Sequence, residues 1–243
     1  DVSVIAGGYR NAIGDNSKVA SVGGGVLNIV GKNSTNVTIS GGFENVVGTN
    51  AHSAVIAGGI QNSIGSNSYG SVIGGGRNNE LSEKAYESVI GGGNGNGIDK
   101  NAYRSFIGSG YLNAVGYAAY YSAILGGNQN SIENYSRYSA VGGGGFNTVN
   151  RYSTNTVIAG GYKNVVGTNA HSAVIAGGIQ NSIGSNSHAA VVGGGELNMI
   201  GLDSRESAIV GGSRNVVEDS EYVAIGGGLL NTASNANHAV VGG

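Results

Sequence analysis

The stretch from Asn45 to Ser68, NVVGTNAHSAVIAGGIQNSIGSNS, recurs letter for letter from Asn164 to Ser187. The two copies are offset by 164 − 45 = 119 residues, which is seven times 17. The same 17 separates the closing residues of successive Gly-Gly pairs (once Ser-Gly), from Gly8, Gly25 and Gly42 onward to Gly195 and Gly212, and one step of 16 then reaches Gly228. A fixed short period of this kind marks a solenoid, in which each unit stacks only on its neighbours. The spacing therefore predicts a single repeat array over 1–243.

Ser53 to Tyr69, SAVIAGGIQNSIGSNSY, serves as the type unit. Three positions before its closing glycine stands a β-branched aliphatic, a column running from Ile5, Val22 and Ile39 through Ile56 and Ile73 to Ile209 and Ile225. Two residues earlier stands a small residue such as Ser71, Ser88, Ser105 or Ala173. Period-2 alternation puts both on the same side of a strand. After the glycines an asparagine recurs in every unit: Asn11, Asn28, Asn45, Asn62, Asn79, Asn96, Asn113, Asn130, Asn147, Asn164, Asn181, Asn198, Asn215 and Asn231. Two residues on comes a second aliphatic column, from Ile13 and Val30 to Ile200 and Ala233. Each coil is thus expected to be two short strands joined by two turns. Glycine supplies φ > 0 at a tight corner and asparagine tolerates it. A repeated asparagine can also hydrogen-bond its amide to its own copies above and below.

The column four before the closing glycine points away from the coil interior and is largely apolar: Val55, Val72, Val89, Phe106, Val157, Val174 and Val191. An outward apolar stripe calls for a partner. Coils placed side by side in a symmetric homo-oligomer would cover it. The fold expected is all-β, a parallel solenoid of about fourteen coils.

Composition narrows the function. Twelve basic and fourteen acidic residues give a net charge of −2, which draws the chain neither to nucleic acid nor to an anionic membrane. The absence of cysteine excludes disulfides and thiolate metal sites. No apolar run approaches the roughly 20 residues of a membrane-spanning helix, so this stretch inserts into no membrane as a helix, and its start carries no signal peptide. Asp1 and Gly243 both fall inside a repeat, without a polar capping unit. Solenoids need caps, so a segment of a longer protein is expected, with anchor and export signals elsewhere.

The units S-V-I-A-G-G at Ser3 to Gly8, S-V-I-G-G-G at Ser71 to Gly76 and at Ser88 to Gly93, and S-A-I-V-G-G at Ser207 to Gly212 resemble the head repeats of trimeric autotransporter adhesins, the YadA-like family. The resemblance covers essentially the whole chain, although the period is longer than the family's commonest one, and the G-G-x-x-N variant also resembles repeats in phage tail appendages. It implies a left-handed parallel β-roll, a homotrimer, and attachment to a host surface glycan or matrix protein such as collagen. It also implies a cell-surface setting, anchored in the outer membrane by the parent protein; the phage likeness implies a virion tail instead.

Tyr69, Tyr86, Tyr103 and Tyr120 share one column, with His52 before them and Arg137 after. They form either a stacked ladder that stiffens an edge or a ligand-facing aromatic strip. His171 and His188 lie one coil apart in the same column, two ligands where a metal site needs three or four. Glu80, Glu83, Lys84 and Glu87 read as a solvated corner. No nucleophile–base pair, phosphate loop, cofactor motif or calcium repeat stands out. The expectation is a non-enzymatic adhesin head or stalk segment. The alternatives are a phage tail-fibre shaft or receptor-binding segment, and a purely structural spacer. Ice binding fits poorly, since the outward columns vary.

Overall fold

The computed structural model describes residues 2–242; Asp1 and Gly243 lie outside the described residues. The fold is an all-β parallel β-solenoid of about fourteen coils. It divides into two compact units, 1–121 and 122–243, built from the same coil. In the type coil the strands are Val55–Ile56 and Ser63–Ile64. Each pairs in parallel with its equivalent on the next coil, Val55 with Val72 and Ser63 with Glu80. A third, single-residue bridge follows the Gly-Gly pair, Phe43 to Ile60 and Ile60 to Arg77. In the second unit the shortened coil that ends at Gly228 keeps the same pairing, Ala208 with Ala224 and Val217 with Ala233.

The interior holds five columns rather than the four visible in the sequence. Ile56 and Ile64 are fully buried, as are Asn62, Ala54 and Ser68. The fifth column continues as Ala85, Ala102 and Ser136. It marks a third corner, so the expectation of two turns per coil is corrected to three. The corners share one feature. One residue adopts positive φ (Gln61 at 55°, Asn67 at 59°, Gly70 at 64°), and the buried small or polar residue follows it: Asn62, Ser68, Ser71.

Along a parallel ladder successive N–H groups point alternately to the following and the preceding coil. Val55 N–H donates forward, to the Ser71 carbonyl at 3.0 Å, and Gln61 N–H donates backward, to the Phe43 carbonyl at 2.8 Å. The N–H that follows the positive-φ residue is met by a side chain of the preceding coil. Asn62 donates through Nδ2 to the carbonyl of Gly76 and accepts the N–H of Asn79, both on the following coil. Ser68 does the same with the Ser82 carbonyl and the Ala85 N–H. Where alanine replaces serine, the backbone closes a tighter turn, as from Ala102 N to Asp99 O at 3.1 Å.

The column asparagines are not themselves at positive φ, contrary to the corner role considered for them; the residue before each one is. Their work is done by the amide. Besides the bonds above, Asn62 Nδ2 donates to Asn45 Oδ1 and to Gly58 O, and its N–H reaches Asn45 Oδ1 at 3.0 Å. Buried polar atoms left unpaired cost about 1–3 kcal/mol each, so this column tolerates no apolar substitute.

The closing glycine is fixed twice over. At Gly59 φ is +98°, and a Cβ would stand 2.2 Å from the Gly76 carbonyl oxygen and 2.6 Å from Asn62 Nδ2. Gly97 is the opposite case: it lies in a strand and a Cβ there meets nothing within 4 Å. Gly59→Ala is therefore expected to cost more than about 2 kcal/mol of unfolding free energy, while Gly97→Ala stabilises by about 0.4–1 kcal/mol, both read by chemical denaturation. Asn62→Asp sets a carboxylate against three carbonyl-type acceptors and should cost about 2–4 kcal/mol in the same assay.

Candidate functional site

The four column tyrosines sit on the exposed flank of the third corner. Each precedes a positive-φ position (Gly70, Glu87, Arg104, Tyr121) and follows a buried Ser68, Ala85, Ala102 or Ala119. The backward backbone bonds from Glu87 N to Tyr69 O and from Arg104 N to Tyr86 O, 2.9 and 3.0 Å, hold successive tyrosines at coil spacing. The rings consequently stack. Tyr69–Tyr86, Tyr86–Tyr103 and Tyr103–Tyr120 have centroids 4.7 Å apart and planes within 5–10° of parallel. Tyr121 closes the end of this unit's ladder edge-on to Tyr103 and Tyr120, at 5.8 and 5.7 Å.

Two ion pairs bracket the ladder, one on each side, each joining consecutive coils. Lys100 Nζ meets Glu83 at 2.7 Å and Arg104 Nε meets Glu87 at 2.5 Å. Arg104 also donates to the Tyr121 hydroxyl and lies over its ring, 5.5 Å from the centroid. The hydrogen bond from Lys100 lowers the Glu83 pKa, and the same bond raises that of Lys100. Burial, then the Tyr69 phenol, raises that of Tyr86. Glu83 and Glu87, read from sequence as part of a solvated turn, are thus paired along the solenoid axis. The signal lay in opposite charges one repeat apart, a spacing that Asp15 and Lys32 also share, at 3.0 Å.

This geometry limits what the edge offers. The ring faces of the stacked tyrosines are taken up by one another, so a ligand meets ring edges and a row of hydroxyls rather than an open aromatic platform. The flanking charges are already compensated.

In the second unit the same column carries Thr154, His171, His188 and Arg205. The imidazoles stack at 5.0 Å and 5°. His171 Nδ1 accepts the Thr154 N–H at 3.2 Å and His188 Nδ1 accepts the His171 N–H at 3.2 Å. The first unit repeats the motif at Thr35 and His52, 3.1 Å. With each Nδ1 occupied and the rings parallel, the two imidazoles do not converge on one ion, whose bonds to nitrogen would be about 2.0–2.1 Å. Among the described residues no group of three or more His, Cys, Asp or Glu could hold a metal. Nor is any helix of the described residues long and apolar enough to cross a membrane.

The seven outward interface candidates face away from the core. Val55, Val72, Val89 and Val174 are half-buried; Phe106, Val157 and Val191 are more exposed. The next outward position, just past the strand, holds Ala57, Gly74 and Gly91 in the first unit and Leu125, Ala159 and Val210 in the second. In neither unit do these two columns contain a charged residue. A shallow groove elsewhere on the first unit, at the notch left by Gly97, is lined by Glu80, Ser82, Asp99 and Ala114, with the Ser82 hydroxyl donating to Glu80 Oε1 at 3.2 Å.

His188 generates a pH dependence. Burial first, then His171 and Arg205, lower its pKa from 6.5, with Asp203 opposing. The unfolded chain therefore takes up the proton more readily, so the contribution of His188 to stability is full above pH 6.5 and is lost as pH falls through the folded-state value. Denaturation between pH 7 and pH 5 should show this loss, and His188→Gln should flatten it. No protein-family model matches the chain, and no curated protein matches it in sequence.

Proposed function

We propose that this chain is a segment of a non-enzymatic surface adhesin, a left-handed β-roll that assembles as a homotrimer and meets a host surface glycan or matrix protein along its exposed edges. The observation that carries the proposal is the charge-free outward stripe, present in both units over coil after coil. A surface of that composition is typical of one that another chain covers, and a second copy has the same coil spacing to match it. Handedness, trimeric state and adhesive role rest on the likeness of the S-V-I-G-G-G units to adhesin head repeats. The parent protein would then sit at a cell surface, or at a virion tail if the phage-appendage likeness is the closer one.

A spacer is the second reading, and the tyrosine ladder favours it. Stacked faces and bracketing ion pairs suit an edge built to stiffen rather than to grip. Oligomer mass tests the assembly, and array binding separates the readings. Light scattering is expected to give three times the chain mass. Val72→Glu with Val89→Glu should raise the concentration for half-dissociation at least tenfold, about 1.4 kcal/mol; a monomer before mutation sinks the assembly. Tyr→Phe at all four ladder positions keeps the stack and removes the hydroxyls, so binding to a glycan and matrix-protein array should fall if this edge adheres and persist if it only supports.

A further inference from the structure

The tyrosine ladder has a chemical property independent of any adhesive role. We propose that Tyr69, Tyr86, Tyr103 and Tyr120 form a site of oxidative cross-linking, at which a one-electron oxidant couples neighbouring phenols into dityrosine and staples consecutive coils covalently.

Coupling needs two phenoxyl radicals, or a radical and a phenol, side by side. Each of two neighbouring phenols gives its hydroxyl proton to solvent and one electron to the oxidant. The two rings then join through carbons ortho to the oxygens. The hydrogens on those carbons move to the oxygens as the rings regain aromaticity, so both phenols are restored. The net change is the loss of two hydrogen atoms per link. Hydrogen peroxide acting through a peroxidase balances the step, taking two electrons and two protons to become two waters.

In most proteins the slow step is for the second ring to arrive. Here it is already in place: three consecutive pairs stand 4.7 Å apart and nearly parallel. The backbone bonds from Glu87 to Tyr69 and from Arg104 to Tyr86 keep the coils from drifting. Pre-positioning of this kind raises the effective concentration of a reacting partner by orders of magnitude. The ladder is reachable at its start, where Tyr69 is 45% exposed, while Tyr86, Tyr103 and Tyr120 are half-buried. Tyr135 and Tyr152 repeat the arrangement in the second unit, 5.0 Å apart and 1° from parallel.

Exposure and adjacency make opposite forecasts. Tyr9 and Tyr111 are more exposed, at 58% and 48%, than Tyr69, and they lie in another column. The test treats the intact chain with a peroxidase and hydrogen peroxide, follows dityrosine fluorescence, and maps linked peptides by mass spectrometry. Intrachain links among Tyr69, Tyr86, Tyr103 and Tyr120, and between Tyr135 and Tyr152, should exceed links through Tyr9 or Tyr111 several-fold. Tyr86→Phe combined with Tyr103→Phe leaves no stacked pair among the four, Tyr120 keeping its edge-on neighbour Tyr121, and should abolish links among the four while the circular dichroism stays that of a β protein. Should that variant lose its sheet signal, Tyr86→Phe alone decides: the Tyr69–Tyr86 link must vanish and the Tyr103–Tyr120 link survive. Links distributed by exposure, links only between molecules, or ladder links unchanged in the variants would overturn the proposal.

Discussion

Every coil of this protein depends on what happens to the backbone at its corners. In a parallel ladder successive N–H groups point alternately to the coil after and the coil before. A chain that must turn three times in each coil takes positive φ at each turn, and the N–H that follows is met by a buried side chain, as that of Asn79 is by Asn62, or by a local carbonyl, as that of Ala102 is by Asp99. Asn62 and Ser68 each accept such an N–H on the following coil and donate to a carbonyl there. Buried backbone groups are almost always paired, so the corner chemistry governs the rest.

The three corners are not equally demanding. At the Ser68 corner alanine can replace serine because a local turn takes over when the hydroxyl is missing, as from Ala102 N to Asp99 O, and the Ser71 corner admits Ala54, Thr156 and Val223 as well. The asparagine corner has no such substitute. Its amide serves its own coil, the coil before and the coil after, as Asn62 does with Gly58, Asn45 and Gly76. The closing glycine beside it has no room for a side chain. Glycine and asparagine are therefore locked together, and that pairing is what makes the period so plain to the eye.

The same uniformity shapes the surface. Whatever a column carries is repeated at coil spacing, so like side chains stack. Tyrosines and histidines become parallel piles, and opposite charges one coil apart become ion pairs along the axis. Exposed pairs of this sort are individually worth little; here they link consecutive coils beside the tyrosines.

The sequence alone determined the winding: its length per coil, the two aliphatic columns, the asparagine column and the outward apolar stripe all follow from residue type at fixed spacing. Period-2 alternation tells inside from outside wherever the chain is a strand. It fails at corners, and for that reason the third corner and the fifth buried column, alternating between Ser and Ala, went unseen. Only the tertiary structure decided which residue of each corner takes positive φ, and that Asn62 serves by its amide rather than by its backbone. It also decided that the tyrosines spend their faces on each other and that Glu83 and Glu87, at a solvated corner, find partners one coil along the axis. Those outcomes depend on groups of neighbouring coils meeting through space, a proximity that residue identity along one coil does not encode.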